Sequence, residues 1–406
     1  MQDATAHFGS VDWAAERHAA CIVDATGHIL EQFTVEHTSA GLATLVREFQ
    51  RQHVVRVAIE RPDGPIVEAL LAAELEVVVV SSRAVKALRT RYGLAGNKAD
   101  RSDAYILADC LRTDGHRWAS LQPDTPQTLA LRASVRGRKD LVAMRVATAN
   151  QLRAHLQLVF PAAIGLFAEI DSLITLQFLT RFPSADKAAW LSERRVHAWL
   201  RANAYSGRRT ASELMDRLRT APPGVQGATA AAQAVVTLSL VRVLGVLVAQ
   251  IAELETHIRE QLARHPDGPI FQSLPRAGTV RAAALLVEIG DCRARFPTPE
   301  ALAALAGAVP STRASGQDRV VTFRWTCDKK LRDVVVDFAQ DSVRASPWAE
   351  QLYRYHRQAH KTHPHAARIL ARAWIGVIWR CWQDHQPYNP ARHRALQRIL
   401  APGGLT

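Results

Sequence analysis

Two short apolar runs near the N-terminus each carry a carboxylate at their end, and this feature constrains the fold most. Residues 7–13 have the composition of a β-strand and contain Asp12, and the apolar run at residues 54–59 leads directly to Glu60. If the two runs are neighbours in one sheet, both acids lie at the same edge. The pattern therefore predicts an α/β domain whose sheet presents carboxylates at one edge.

The other elements predicted in the first hundred residues fit the same sheet. Three antiparallel strands are followed by helix, strand, helix, strand and helix, which is the ribonuclease-H-like order of elements. In that order Asp12 lies on the first strand and Glu60 ends the fourth. The predicted elements are strands at residues 7–13, 18–24 and 29–35, a helix at 39–51, a strand that ends at 59, a helix that starts near 65, and a buried strand at 77–80.

Two further carboxylates, Asp100 and Asp103, lie three residues apart where a helix is predicted to begin. That spacing places both side chains on one helix face. Mg²⁺ prefers oxygen ligands, and pairs of such ions stabilise the attacking and leaving oxygens at a phosphorus. Together with Asp12 and Glu60, these acids predict a site for Mg²⁺ or Mn²⁺ that acts on a nucleic-acid backbone. Scattered, solvated carboxylates are the alternative interpretation.

The charge of the chain favours the same class of partner. A net charge of +13 suits a polyanion, of which nucleic acid is the commonest, although a generally arginine-rich proteome gives the same balance. The five cysteines show no C-x-x-C spacing and indicate neither a zinc knuckle nor a disulfide framework. The N-terminus has no signal-peptide pattern, so we expect a cytoplasmic protein.

An apolar stretch at residues 235–252 is predicted to pair with another helix rather than to cross a membrane. Arg242 lies near its centre, where membrane insertion is costly. We therefore predict a coiled-coil helix that dimerises the protein, and no membrane partner. The apolar residues continue beyond the stretch at alternating spacings of four and three: Leu240, Leu244, Leu247, Ile251, Leu254 and Ile258.

Turn-forming segments divide the chain into three predicted domains. An α/β domain at residues 1–125 is followed by a helical linker and coiled-coil region at 126–265 and by a mostly helical C-terminal domain at 266–406. The last domain begins with residues 274–280 before a helix, which resembles a helix-hairpin-helix turn. Backbone N–H groups at such a helix start can hold a phosphate. An ordinary tight turn is the alternative.

Ser315 is a candidate nucleophile. It precedes a glycine in a predicted loop, where a side chain is accessible. A serine among cations can attack a phosphodiester, because the cations offset the charge that develops at phosphorus. A simple Ser-Gly turn is the alternative. The basic residues that follow are candidate nucleic-acid contacts: Arg319, Arg324, Lys329, Lys330 and Arg332.

Taken together, these features resemble the transposases of the insertion-sequence-110 family, the DEDD recombinases guided by a bridge RNA. The resemblance covers most of the chain except about residues 160–230, for which the sequence indicates no role. It depends on the combination of segments rather than on any one of them. The matching segments are Val11–Asp12, Ile59–Glu60, residues 96–104, Leu107–Ala108, residues 274–278, 289–291, Phe296, residues 305–307, Pro310, Ser315–Gly316 and Leu331–Arg332.

The resemblance implies a specific chemistry. Asp12, Glu60, Asp100 and Asp103 would be the metal ligands of a RuvC-like domain, and Ser315 would become covalently joined to DNA. The two groups would act in a composite site built across subunits of a homo-oligomer, a dimer that forms a tetramer on DNA. Donor and target DNA would each pair with loops of a structured guide RNA, whose shape the protein reads. Such a protein acts at the bacterial nucleoid.

Two other functions remain open at this point. The first is a RuvC-like, metal-dependent nuclease of DNA junctions, in which the four acids activate water and Ser315 has no role. The second is a catalytically silent nucleic-acid-binding descendant of such an enzyme. The presence of all five catalytic candidates argues against the silent descendant, and a protein–DNA adduct that depends on Ser315 would separate the transposase from the nuclease.

Overall fold

The structure, a computed structural model, describes residues 6–92, 100–316 and 318–400. The chain forms two compact units, Met1–Pro123 and Asp124–Thr406. Helices before and after residue 265 share one hydrophobic core. The domain boundaries predicted after residues 125 and 265 stay predictions.

The first unit contains a five-stranded sheet in the order β3-β2-β1-β4-β5. β1, β2 and β3 form an antiparallel meander, whereas β4 and β5 run parallel to β1. The predicted order of strands and helices is therefore confirmed for the described residues. The elements are β1 (His7–Asp12), β2 (Arg17–Val23), β3 (Ile29–Glu36), α1 (Ser39–Arg51), β4 (Val54–Ile59), α2 (Pro65–Ala72), β5 (Glu76–Val79), α3 (Ser82–Tyr92) and α4 (Asp100–Asp114).

Burial along the strands follows from their places in the sheet. β2 lies inside the meander and is buried from His18 to Val23, while the edge strand β3 is mostly exposed or half-buried. On one face, Phe49 of α1 packs closely on β1 at Gly9. A Cβ atom at Gly9 would meet a methyl group of Val54 at 2.9 Å, so only glycine allows this approach.

The second unit is helical apart from one two-stranded hairpin among its described residues. Its elements are α5 (Pro126–Val159), α6 (Leu173–Arg181), α7 (Ala185–Ala188), α8 (Glu193–Ala202), α9 (Ala211–Thr220), α10 (Gly227–Arg264), α11 (Gly268–Gln272), α12 (Gly278–Ile289), α13 (Pro299–Leu305), β6 (Ser311–Ser315), β7 (Asp318–Thr322), α14 (Lys329–Ser342), α15 (Pro347–Gln358), α16 (His363–Gln383) and α17 (Arg394–Leu400).

The two longest helices, α5 and α10, pack against each other in antiparallel directions. His155 near the end of α5 hydrogen-bonds Thr237 near the start of α10 at 2.9 Å. At the other end of the pair, Arg138 binds Glu255. The small helices α6 to α9 cover one end of the pair, where their apolar residues share a core with both long helices.

The predicted heptad seam on α10 therefore has its partner inside the chain. Leu244, Leu247, Ile251 and Ile258 are all buried in one copy of the chain. The expectation that this seam holds two subunits together is corrected by this finding, because α5 already occupies the position of the partner helix. The periodicity predicted a helix pair, and the pair is intramolecular.

The same helix α10 is long and apolar enough, by length and composition alone, to cross a membrane. Only a third of its most apolar segment is buried, and the rest of that segment is half-buried or exposed. Four valines on the outward side, Val235, Val236, Val243 and Val246, are 63%, 45%, 53% and 62% exposed. An apolar surface of this kind commonly marks an interaction site.

A buried ionic cluster joins the start of α5 to the end of α12. The carboxylate of Asp124 is 2% exposed and receives hydrogen bonds from the guanidinium groups of Arg132 and Arg295. It also accepts the backbone N–H of Asp291 at 3.0 Å. Because a buried carboxylate is costly without such partners, these contacts fix the position of the loop after α12.

A hydrogen-bond chain extends from the same loop to the end of α10. Thr128 donates to the carboxylate of Asp291 at 2.8 Å, and its hydroxyl lies 2.8 Å from Nε2 of His265. The backbone N–H of Asp267 donates to Nδ1 of the same histidine at 3.1 Å. The arrangement requires the neutral imidazole with its proton on Nε2, and burial lowers the pKa of His265 accordingly.

Candidate active site

The sheet brings the first two predicted acids together. Asp12 is the last residue of β1, and Glu60 directly follows β4. Because the two strands are parallel and Val11 pairs with Ile59, both acids lie at the same edge of the sheet. The guanidinium of Arg61 lies 4.4 Å from the centre of the Trp13 ring, so the residues after the two acids also contact each other.

Asp103 is brought to this edge by α4. The small residues Ala104 and Ala108 are fully buried against Ala19, Cys21 and Val23 of β2, which allows the helix to lie close to the sheet. Ser10 of β1 donates a hydrogen bond to the carbonyl oxygen of Ala104. The carboxylate of Asp103 is consequently almost completely buried, although it belongs to the first turn of the helix.

A guanidinium that the sequence analysis did not identify lies among these acids. Nε of Arg89 in α3 donates to Oδ1 of Asp103 at 2.7 Å, and its Nη2 donates to Oδ2 at 2.7 Å. The hydrogen bond to Asp103 and the charges of Asp103, Glu60 and Asp12 raise the pKa of Arg89 against the opposing effect of desolvation. Three of the four predicted acids therefore contribute to the electrostatic field at this guanidinium, and Asp103 contacts it directly.

Glu60 has a second partner on the same helix. The hydroxyl of Ser82, the first residue of α3, donates to Oε2 of Glu60 at 2.7 Å. α3 thus supplies both a hydroxyl and a guanidinium to the acidic edge. Ser82 and Arg89 both lie on the helix that follows β5. This position is the only feature of the sequence that could have indicated their place at the acidic edge.

The fourth acid, Asp100, is exposed and borders residues that the structure does not describe. Asp100 is the first residue of α4, is exposed, and lies one helical turn before Asp103. The family-like residues 96–99 lie outside the described part of the chain. Within the described residues, no three histidine, cysteine, aspartate or glutamate side chains form a group arranged to hold a metal ion.

The chemistry of the acidic edge nevertheless suits a hard cation. Its donors are carboxylate oxygens from β1, from the residue after β4 and from α4, and the one from α4 already binds a cationic group. Oxygen donors of this kind are those that Mg²⁺ and Mn²⁺ prefer. Asp12, Glu60 and Asp103, with Asp100 one turn away, are the residues that could hold such an ion.

Ser315 lies in the second unit, at the end of an exposed β-hairpin. It is the last residue of β6, and Gly316 follows with φ of +59°. The register pairs Ser315 with Asp318, the first residue of β7. Directly paired residues of antiparallel strands place their side chains on the same face, so the hairpin brings a carboxylate beside the candidate nucleophile. The sequence predicts an accessible loop here, whereas the structure has two paired strands with Asp318 opposite Ser315.

The predicted basic residues are distributed along the hairpin and the following helix. Arg319 is exposed on β7, and Lys329 and Lys330 are exposed at the start of α14. Arg324 donates to the carbonyl oxygen of Thr326, and Arg332 binds Asp333 at 3.3 Å. These five cations therefore follow Ser315 within one short stretch of structure.

A cavity of about 820 Å³ lies at the start of α12, where the helix-hairpin-helix-like turn was predicted. Gly278 begins this helix with φ of +59°. The cavity contains both basic and acidic side chains, among them Arg138, Lys139, Lys330 and Asp333. A helix does begin at the predicted turn, but its surroundings carry both signs of charge.

Comparison with known proteins identifies the family. The profile of the family DEDD_Tnp_IS110, described as a transposase, matches residues 10–161, and that of the transposase IS116/IS110/IS902 family matches residues 268–354. The first match contains all four candidate metal ligands, and the second contains Ser315.

Relatives of similar length support the same assignment. A mini-circle protein described as a transposase for IS117, from Streptomyces coelicolor, is 31% identical over 99% of this chain and 98% of its own length. A 42 kDa protein of insertion element IS900 from Mycobacterium paratuberculosis is 28% identical over 80% of this chain and 81% of its own. A 43.6 kDa protein of insertion element IS110 from S. coelicolor is 29% identical over 72% of each chain. The chain belongs to the insertion-sequence-110 family of transposases.

Proposed function

We propose that this transposase cuts and rejoins DNA with two cooperating groups: a divalent metal bound by the acidic edge of the first unit, and the hydroxyl of Ser315 in the second. The observation that carries the proposal is the placement of Asp12 and Glu60 at one sheet edge by paired strands, with Asp103 held nearby by Arg89, whose charge the fields of Asp12 and Glu60 also favour. Carboxylates from three separate elements rarely converge unless a cation belongs among them, because their mutual repulsion is costly.

In this proposal the first unit is a RuvC-like domain, an interpretation supported by its strand order and by the placement of its acids. Mg²⁺ or Mn²⁺ bound there supplies positive charge that stabilises oxygens at a reacting phosphorus. Asp12, Glu60, Asp100 and Asp103 bind and orient the ion. Ser82, through its hydrogen bond to Glu60, orients one of these ligands.

Ser315 forms the covalent intermediate. Its hydroxyl gives up a proton to solvent as Oγ bonds to a backbone phosphorus, and the bond from that phosphorus to one deoxyribose oxygen breaks as this oxygen takes up a proton. A hydroxyl of the partner strand then loses its proton to solvent as its oxygen bonds to the same phosphorus, and Oγ of Ser315 takes up a proton from solvent as its ester bond breaks. The exposed position at the hairpin end suits a nucleophile that must reach a DNA backbone.

The partners follow from charge and family. The net charge of +13 and the cations Arg319, Arg324, Lys329, Lys330 and Arg332 support binding of donor and target DNA and of a structured guide RNA. We propose that the protein works in the bacterial cytoplasm, at the nucleoid. Residues 162–220, which form α6 to α9, pack on the α5–α10 pair and support it.

The homo-oligomer forms through the outward face of α10 in this proposal. On that face Val236, Ser239, Val243 and Val246 follow one another at spacings of three and four, which is a second heptad pattern beside the buried one. Within residues 227–252 Arg242 is the one charged residue, so a second copy of the same helix can pack there without burying many charges.

The test is a recombination assay with purified protein, donor and target DNA, RNA transcribed from the flanks of its gene, and Mg²⁺. We expect recombinant junctions and a denaturant-resistant protein–DNA adduct, both lost in Ser315→Ala. Ser311→Ala changes a serine on the same strand and is the matched control, which should retain both. Metal-dependent cutting without an adduct would leave the nuclease function and overturn the role of Ser315.

A further inference from the structure

The guanidinium of Arg89 uses both oxygens of Asp103. Its two N–H groups donate to the two carboxylate oxygens at 2.7 Å each, which is the parallel bidentate geometry of a strong arginine–carboxylate pair. The Asp103 side chain is 3% exposed, whereas that of Arg89 is 35% exposed. The pair therefore joins a buried acid to a cation that still has access to the surface.

The same guanidinium reduces the repulsion among the acids. Glu60 and Asp12 contribute to the field at Arg89 in addition to Asp103. Without a cation, several carboxylates at one sheet edge would repel one another. Since an arginine does not lose its proton in proteins, Arg89 supplies this charge at every physiological pH.

A divalent ion and this guanidinium compete for Asp103. The two N–H groups occupy one lone pair on each carboxylate oxygen, and the guanidinium charge would repel a metal ion bound through the remaining lone pairs. The described acids also form no group arranged to hold a metal ion as they stand. The occupied oxygens of Asp103 and the lack of a metal-binding group among the described acids both follow if these acids are arranged around a planar guanidinium.

We propose that Arg89 is a resident counter-ion, which keeps the acidic edge out of its metal-binding arrangement until a nucleic-acid phosphate draws the guanidinium away. The proposal rests on the metal site of the proposed function. A phosphate is the suitable competitor, since it offers the fork of Arg89 the same two-oxygen geometry as a carboxylate. DNA binding and metal binding then favour each other, and by reciprocity each ligand raises the affinity for the other.

The experiment measures Mn²⁺ binding to the full-length protein without nucleic acid, by the electron paramagnetic resonance signal of free Mn²⁺. We expect Arg89→Gln to bind Mn²⁺ about tenfold more tightly than wild type. Without the guanidinium, a larger fraction of the protein has its acids in the arrangement that binds a metal ion. Arg89→Lys keeps the charge without the fork and should lie between the two. Arg112→Gln is the matched control: it removes an arginine paired with Asp109 on α4 and should leave Mn²⁺ affinity unchanged.

Two further measurements assign the gain in affinity to the acidic edge. The gain should vanish in the double variant Arg89→Gln/Asp103→Asn, which removes the disputed carboxylate. DNA duplex should raise the Mn²⁺ affinity of wild type but not that of Arg89→Gln. If Arg89→Gln is less stable, Mn²⁺ should raise its Tm more than it raises that of wild type.

The outcomes separate this inference from the proposed function. Equal or weaker Mn²⁺ binding by Arg89→Gln, with binding that still depends on Asp103, would overturn the counter-ion role and leave the metal site intact. Binding that is unaffected by Asp103→Asn in every variant would overturn the metal site, and the counter-ion role with it.

Discussion

Asp12 ends β1 and Glu60 directly follows the parallel strand β4, and the pairing of Val11 with Ile59 places both carboxylates at one edge although two strands and a helix lie between β1 and β4 in the sequence. The contact between Trp13 and Arg61 then joins the residues that follow the two acids. The position of each acid is thus set by the hydrogen-bonded strands rather than by a loop. A site on rigid elements holds its ligands accurately.

From this geometry we expect Asp12→Asn to lower Mg²⁺-dependent DNA cutting by about 100-fold or more, since one lost charge-stabilising group costs several kcal/mol in the transition state. Folding should be preserved, because Asn has the same shape as Asp. The assay is single-turnover cutting of labelled donor DNA together with thermal unfolding. Glu16→Gln, an exposed acid in the turn before β2, serves as control. Cutting at the wild-type rate by Asp12→Asn would remove this residue from the metal site.

The acidic edge could be predicted from the sequence only in part. Asp12 and Glu60 could be predicted because each lies at the end of an apolar run, and Asp103 could be predicted because a helix start was evident. Arg89 could not be predicted, since nothing local marks a residue in an ordinary amphipathic helix as the partner of an acid 14 residues later. The hairpin of Ser315 was missed for another reason: both faces of β7 are exposed, so its residues lack the apolar alternation that marks a strand.

The two faces of α10 should respond differently to a charge. Leu247 is buried against the chain's own core, so we expect Leu247→Asp to destabilise the second unit by about 3 kcal/mol or more and to lower its Tm. Val243 is 53% exposed, so Val243→Asp should leave Tm nearly unchanged and weaken self-association. Thermal unfolding and light scattering after size-exclusion chromatography measure the two effects. An unchanged oligomer mass for a folded Val243→Asp would exclude this face as the contact between subunits.

The heptad shows what such a pattern specifies. It predicts that a helix will cover the apolar stripe, but it does not state which chain supplies that helix. Here α5 supplies it, and α5 is difficult to recognise as the partner because its sequence is rich in arginine. Several of these arginines are paired with acids of the same unit, such as Arg136 with Glu288 and Arg138 with Glu255.

Protonation of His265 should destabilise the second unit. Burial lowers the pKa of this histidine in the folded state below its ordinary value of 6.5, so the unfolded chain binds the proton first as pH falls. The stabilisation is therefore complete above about pH 6.5 and decreases as pH falls towards the folded pKa. We expect the difference in Tm between wild type and His265→Asn to narrow from pH 8 to pH 5.5. His257→Gln, which changes an exposed histidine on α10, is the matched control. A constant difference in Tm across this range would contradict the linkage.

Loss of the charge on Asp124 should be costly because two guanidinium groups depend on it. Asp124→Asn leaves Arg132 and Arg295 without their shared carboxylate, and we expect a loss of about 2–4 kcal/mol in the free energy of unfolding. Urea unfolding measures this difference. Asp140→Asn, an exposed acid on α5, should change stability by less than about 0.5 kcal/mol. Equal stability of the two variants would mean that the buried cluster does not hold the α12 loop in place.

The cations at the start of α14 should contribute to nucleic-acid binding through phosphate charge. Lys329 and Lys330 are exposed there, in the stretch that follows Ser315, and the carboxylate of Asp328 caps the helix. If both lysines contact phosphates, Lys329→Gln and Lys330→Gln should each reduce the slope of log affinity against log salt by about 1, because one fewer counterion is released. The loss should be similar for DNA of different sequences, since phosphate contacts do not read bases. Titrations at several salt concentrations, with Lys187→Gln on α7 as the matched control, measure the slope. Slopes equal to that of wild type would place the nucleic-acid backbone away from this helix start.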